Sequence, residues 1–202
     1  AWNDGPNAAL GSADLWADLD KASQAEAHVA LDTGAAAKLS GDGVIEAHYA
    51  LPLLAHAPME PMNCTVHLTS GKCEVWVGTQ VMTMTQRAAA QEAGLSPDQV
   101  TVHNHLIGGG FGRRLEVDGV RKAVRIAKHV DGPVKVVWSR EEDIARAPYR
   151  SVYGAWLKAR IANGRVEAWS HRVVGPSVVA RWLPPAYDGK IDSDAVDGAA
   201  ET

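Results

Sequence analysis

The chain has 202 residues, 46% of them hydrophobic and 22% charged, with 20 Lys and Arg against 24 Asp and Glu for a net charge of −4. That much apolar material supplies a core and argues against a disordered chain. The acidic balance offers no chain-wide basic field for a nucleic-acid backbone, and no apolar run approaches the ~20 residues a membrane-spanning helix needs.

Ser12 stands as an N-cap ahead of Leu15, Trp16 and Leu19 at helical spacing, which predicts a short amphipathic helix over residues 13–27. A loop holding Gly34, Gly41 and Gly43 follows, and alternation over Val44 to Leu51 predicts a strand. Pro52, Pro58 and Pro61 break the next stretch into an irregular loop. Strands over residues 63–69 and 73–77 form a hairpin through Ser70-Gly71-Lys72. In that hairpin Cys73 opposes the end of the first strand and Cys64 lies near its start, so two buried thiols are expected rather than a bridge. An Ala-rich helix over residues 85–93 stops at Gly94, and Ser96-Pro97-Asp98-Gln99 reads as a capping box before a strand over residues 100–107. Glycines 108–110 and 112 lead into a helix with Val117, Val120, Val124 and Ala127 on its buried face. A strand over residues 133–138 and a brief helix capped by Ser139 and Glu142 follow. Residues 152–161 and 165–174 flank Ala162-Asn163-Gly164, a hairpin signal. Beyond Pro184-Pro185 the chain is a polar, Asp- and Gly-rich tail.

The densest chemistry lies in His103-Asn104-His105-Leu106-Ile107-Gly108-Gly109-Gly110-Phe111-Gly112-Arg113-Arg114. Glycines open the backbone to a ligand, a helix start favours an anion, and two arginines suit bidentate contacts to phosphate. The run fails the standard templates, because Arg113 stands where a dinucleotide fingerprint or a nucleoside-triphosphate loop requires glycine. Phe111, the chain's only Phe, sits among glycines where a core residue is not expected. His103 and His105 share a strand face, yet no third ligand stands at suitable spacing, so hydrogen-bonded histidines are expected and no metal site is assigned. Glu60, held between Pro58 and Pro61, suits orienting a neighbouring group, and Gln80, at the polar end of Trp76-Val77-Gly78-Thr79-Gln80, can donate and accept at once.

The ordered blocks "APMEPMNCTVH", "EVWVGTQ", "VTVHNHLIGGGFGRRLEVDGV", "PVKVVWSREEDI" and "LKARIANGRVEAWSHRVVG", spread over residues 57–175, resemble the molybdenum-binding subunit of the xanthine dehydrogenase and aldehyde oxidoreductase family. The branch they resemble is that of the isoquinoline 1-oxidoreductase beta subunit, since Arg113-Arg114 stand where xanthine dehydrogenases carry Gly-Lys. The resemblance implies that Gln80 approaches an oxo ligand of molybdenum. It also implies that Gly109, Gly110, Phe111, Gly112 and Arg113 line the molybdopterin and the substrate cavity, and that Glu60 supports the site. No catalytic base is assigned, because the family places its Glu far downstream.

The implied activity is hydroxylation of aldehydes or N-heteroaromatic compounds with water as oxygen source, by a molybdenum-dependent oxidoreductase of the isoquinoline 1-oxidoreductase or aldehyde dehydrogenase type. The implied cofactor is molybdopterin with molybdenum, in the cytosine dinucleotide form. The implied partners are the remainder of the subunit, a small 2Fe-2S iron-sulfur subunit and a cytochrome c subunit, with no nucleic acid. A periplasmic or membrane-associated complex is the implied setting, although the sequence itself does not encode a compartment. The chain is expected to be a fragment that alone binds no cofactor and is inactive. The competing expectation is a free-standing module that holds a phosphorylated small molecule through the Gly-rich loop. The expected fold is α+β, a mixed, largely antiparallel sheet with about three to four helices. Its expected parts are an N-terminal segment 1–50 belonging partly to a neighbouring domain, a first molybdopterin-binding subdomain 51–183, and a tail or linker 184–202.

Overall fold

The structure is a computed structural model and describes residues 5–197. Its elements in chain order are α1 (Ser12–Ser23), β1 (Val44–Leu51), β2 (Asn63–Thr69), β3 (Lys72–Val77), α2 (Met82–Ala93), β4 (Val100–Asn104), α3 (Asp118–Ala127), β5 (Val134–Val137), α4 (Arg140–Arg146), β6 (Tyr153–Ala162), β7 (Arg165–Val174), α5 (Val178–Trp182) and α6 (Ser193–Val196). Six α-helices thus stand among the described residues, against the three to four expected. The extra ones are the short α5 and α6, which show no apolar periodicity and are set by their caps, Ser177 accepting from Ala180 N and Asp192 from Asp194 N.

The chain divides into two units, residues 54–150 and residues 1–53 with 151–202. The expected breaks lie at 50/51 and 183/184, and the contacts divide the chain elsewhere. The physical reason is strand pairing: β1 runs antiparallel to β6, Val44 opposite Arg160 through Leu51 opposite Tyr153, so the N-terminal segment and the late hairpin make one sheet.

In that unit the sheet order is β1-β6-β7, all antiparallel. Asn163 and Gly164 turn the hairpin with φ of 51° and 70°, as Asn-Gly permits. Helix α1 buries Leu19 and Ser23, and Arg172 on β7 donates to the carbonyls of Ser23 and Ala25. Its N-cap is Gly11 rather than Ser12, with the Asp14 carboxylate accepting from Gly11 N at 2.8 Å. It ends at Ser23, short of the expected residue 27. The expected tail is anchored where it is described: Asp192 accepts from Ser177 Oγ at 2.7 Å and from Val179 N at 3.1 Å. Its residues 198–202 lie outside the described residues, as do residues 1–4 of the N-terminal segment.

The 54–150 unit is a four-stranded sheet of order β4-β3-β2-β5, antiparallel except for the parallel pair β3/β4. Alternation decides its faces. Cys64 and Val66 on β2, with Cys73, Val75 and Val77 on β3, point to one side and meet Ala89 and Ala90 of α2 and Val120, Ala123, Val124 and Ala127 of α3. Burying such a set, at roughly 25 cal/mol per Å² of apolar surface, dominates the stability of this unit. Both cysteines are free and buried there. On the opposite face Trp76 stacks on His103, ring centroids 4.8 Å apart.

Candidate functional site

Three segments of the 54–150 unit meet at the ends of β3 and β4. The first is the end of β3. Beyond Val77 the ladder is continued by a side chain: Asn104 Oδ1 accepts from Thr79 N at 3.0 Å, and Asn104 Nδ2 donates to Thr79 O at 3.3 Å. The Thr79 hydroxyl accepts from Val81 N at 3.1 Å and donates to Arg114 O at 3.2 Å, turning the chain into α2. Gln80 stands at this corner with its side chain exposed.

The second segment is the glycine loop. The expected strand 100–107 stops at Asn104, because the chain leaves the ladder after His105 N donates to Val77 O at 3.1 Å. Gly109 and Gly112 have φ of 95° and 99°, and Phe111 between them has φ 55°, an uncommon conformation for a residue with a Cβ. Gly108 and Gly110 are required for closeness instead. A Cβ on Gly108 would stand 2.4 Å from Glu60 Cβ, and one on Gly110 would stand 2.5 Å from Gln80 Oε1. What these two glycines admit is therefore Glu60 and the Gln80 carboxamide. Phe111 is 64% exposed and Leu106 fully so, two apolar side chains that this loop leaves to solvent.

The third segment is the loop before β2. Glu60 Oε2 accepts from Gly108 N at 2.9 Å and from Arg114 Nη2 at 2.7 Å, while Oε1 accepts from Asn63 Nδ2 at 2.7 Å. Burial pushes the Glu60 carboxyl up, but the bonds from Asn63 and Gly108 and the Arg114 charge outweigh it and leave it below the usual range. His56 also lies against the loop, its Nε2 3.2 Å from where a Gly112 Cβ would stand. Burial first, then the charges of Arg150 and Arg113, lower its pKa, and together they outweigh the backbone interaction with Pro148 that raises it.

The two arginines depart from the phosphate-binding expectation. Arg113 is 2% exposed and Arg114 1%. Arg113 donates to both oxygens of Asp118 at 2.8 and 3.2 Å, and its Nε lies 3.5 Å from Asp143. Burial raises the Asp118 carboxyl, and the Arg113 bonds more than reverse that. Arg114 donates to Gly109 O at 2.8 Å, Gly78 O at 3.1 Å and Glu60 O at 3.1 Å besides its bond to the Glu60 carboxylate. Nor does a helix start face the loop. A 3-10 turn, Arg113–Leu115, intervenes, and α3 opens on Asp118, whose charge already occupies that end. The two cations that a free-standing phosphate module would use are thus engaged inside the protein.

Gln80, Gly109, Gly110, Phe111, Gly112, Arg113 and Glu60 thus fall in one cluster, with Arg113 joining it by its backbone, Arg113 N donating to Gly110 O at 2.8 Å. Sequence reasoning gives Asn104, Thr79 and His56 no role, although all three lie in or beside the chemistry-bearing stretches. Asn104 carried a signal, an amide at a strand end beside a glycine run; the other two carried none. Among the described residues no group of His, Cys, Asp or Glu is arranged to hold a metal ion, and His103 bonds Glu74 at 3.4 Å. The exposed Gln80 carboxamide against Gly110, on the same loop as the exposed Phe111 ring, suits a polar, partly aromatic organic cofactor better than a bare ion.

The fold and loop cluster define a class. Residues 21–177 match the molybdopterin cofactor-binding domain, and the chain belongs to that family. The match begins at residue 21, within the N-terminal segment whose β1 pairs with β6. The chain is 38% identical over 145 residues to the isoquinoline 1-oxidoreductase subunit beta of Brevundimonas diminuta, covering 70% of this chain and 19% of that protein. It is 31% identical over 120 residues to the xanthine dehydrogenase of Emericella nidulans, covering 56% of this chain and 9% of the relative. The chain therefore spans a fifth or less of the length of these relatives. In fold it is similar to the CO dehydrogenase of Oligotropha carboxidovorans, with TM-score 0.57, 20% identity and coverage of 70% of this chain and 18% of that one. The aldehyde oxidoreductase of Desulfovibrio gigas is similar at TM-score 0.52 and 22% identity, over 64% and 14%.

Proposed function

We propose that this chain supplies one wall of the molybdopterin site of a molybdenum-dependent oxidoreductase that hydroxylates aldehydes or N-heteroaromatic compounds, with water as the oxygen source. The observation that carries the reading is the joining of Gln80 to the Gly109–Gly112 loop in a chain of this family. When bound, the cofactor supplies the two-electron redox chemistry. The chain supplies placement. Gln80 offers a carboxamide that donates and accepts, Phe111 offers an apolar wall for a planar substrate, and the loop from Gly109 to Arg113 offers main chain. Glu60 supports the loop from behind through Gly108 N and Arg114. The cytosine dinucleotide form of the cofactor is favoured by the relation to the isoquinoline 1-oxidoreductase subunit, as are a 2Fe-2S subunit and a cytochrome c subunit as electron-transfer partners. A site with one wall in this chain needs the remainder of a longer subunit to close it and to bring the base.

The test is a pair of substitutions in the natural full-length protein. Gln80→Ala lowers kcat by about tenfold or more, the scale of losing one oriented polar group. Phe111→Ala changes the ratio of kcat/KM between an aromatic and a small aliphatic aldehyde. Unchanged kinetics in both would remove these roles.

A further inference from the structure

Arg114 holds both walls of the cluster at once. Its main-chain carbonyl accepts from Gln80 N at 3.1 Å and from Thr79 Oγ1 at 3.2 Å. Its guanidinium donates to Gly78 O, just before that corner, and to Gly109 O, just before the glycine against which Gln80 rests. The remaining donor reaches Glu60, which in turn holds Gly108 N, and Glu60 N donates back to Gly108 O at 3.1 Å. The strand end is thus bracketed at Gly78 and Gln80, and the loop at Gly108 and Gly109, by one buried residue and its carboxylate partner. Asn104 also holds the strand end, but only at Thr79. Charge-assisted bonds of a planar guanidinium in a dry setting are short and directional, so this grip fixes spacing and not merely proximity.

We propose that Arg114 is a positioning residue that sets the distance between the Gln80 carboxamide and the glycine loop, with Glu60 as the counter-charge that keeps its fork in place. Its consequence for catalysis rests on the role given to Gln80 above; the positioning itself does not, and is measured without turnover. Lysine at 114 keeps the charge but has a single nitrogen, which cannot reach Gly78, Gly109 and Glu60 together.

The experiment is amide hydrogen exchange on the natural full-length protein, wild type against Arg114→Lys and Asn104→Ala, read at residues 78–80 and 108–111. The proposal expects Arg114→Lys, which keeps the main-chain carbonyl under Gln80 N but releases the guanidinium's hold on Gly78, Gly109 and Glu60, to raise exchange about tenfold or more in both segments together, and Asn104→Ala to raise it at Thr79 alone. If Arg114→Lys frees residues 108–111 while the Gln80 amide stays protected, Asn104 holds the corner and the proposal is overturned. Should Arg114→Lys fail to fold, Glu60→Gln is read in the same way. Parallel loosening at both segments supports the proposal, and unchanged protection at Gln80 overturns it. Added ethylguanidinium restores protection in Arg114→Ala if the fork is what matters. Loosened exchange with unaltered turnover would still support the positioning role of Arg114 and would refute the catalytic role of Gln80.

Discussion

Gly108 and Gly110 make a pair that separates packing from placement. Neither is conformationally demanding in the way of Gly109 and Gly112, so alanine meets only its neighbours. At Gly108 the new methyl stands 2.4 Å from Glu60 Cβ and 3.4 Å from Glu60 N, and Glu60 cannot retreat without giving up its reciprocal bonds to Gly108 and its bond to Arg114. Overpacking of this kind costs about 1–3 kcal/mol, and weakening a charge-assisted bond adds about 1 kcal/mol or more. At Gly110 the methyl stands 2.5 Å from Gln80 Oε1, 2.9 Å from its Cδ and 3.4 Å from Ile107 Cδ1. The carboxamide is the free end of an exposed side chain and swings aside for about 1 kcal/mol or less. Urea unfolding of the natural full-length protein should therefore show Gly108→Ala destabilised by about 3 kcal/mol and Gly110→Ala by under about 1 kcal/mol. In activity the order changes: Gly110→Ala loses turnover as Gln80→Ala does, without the stability loss. Equal destabilisation, or Gly110→Ala the more costly, would refute the packing argument. Full activity in Gly110→Ala would refute the placement of Gln80.

Two further outcomes follow from the buried groups. Burial pushes the Cys64 thiol up to about 12 and raises that of Cys73, so neither should react with Ellman's reagent at pH 8 in the folded protein while both react in urea; fast labelling of either in the native state would contradict the core described. His56 has a folded pKa below its ordinary 6.5, so the unfolded chain takes up its proton first and stability falls as pH drops from 6.5 through the lowered value. In His56→Gln that part of the pH–stability slope should be absent in urea titrations, and an unchanged slope would show that another group carries it.

Much of the fold was legible where pattern is local. The alternation of β2 and β3, the Gly94 stop of α2 and the Asn163-Gly164 turn are each fixed by residues close in sequence. α2 starts three residues ahead of the expected residue 85, because its entry is set by the Thr79 hydroxyl on Val81 N, which leaves no N-cap signature beside Met82. The β1–β6 pairing joins strands about a hundred residues apart, and no periodicity reveals it. The site shows the same division. Gln80, the glycines and Phe111 could be singled out as residue types, but the fate of the arginines depends on carboxylates elsewhere: Glu60 lies 54 positions from Arg114, and Asp143 comes from α4. Without those partners, two adjacent arginines after a glycine run read as anion ligands. With them, the same charges are structural.

The central claim is that this chain forms part of a molybdopterin site. The most direct test is the cofactor content of its natural full-length protein, purified from cells supplied with molybdate, with molybdenum measured by mass spectrometry and pterin by fluorescence after oxidation. The account predicts about one of each per polypeptide, as a resident cofactor requires. Protein that is folded yet carries neither molybdenum nor pterin would contradict it.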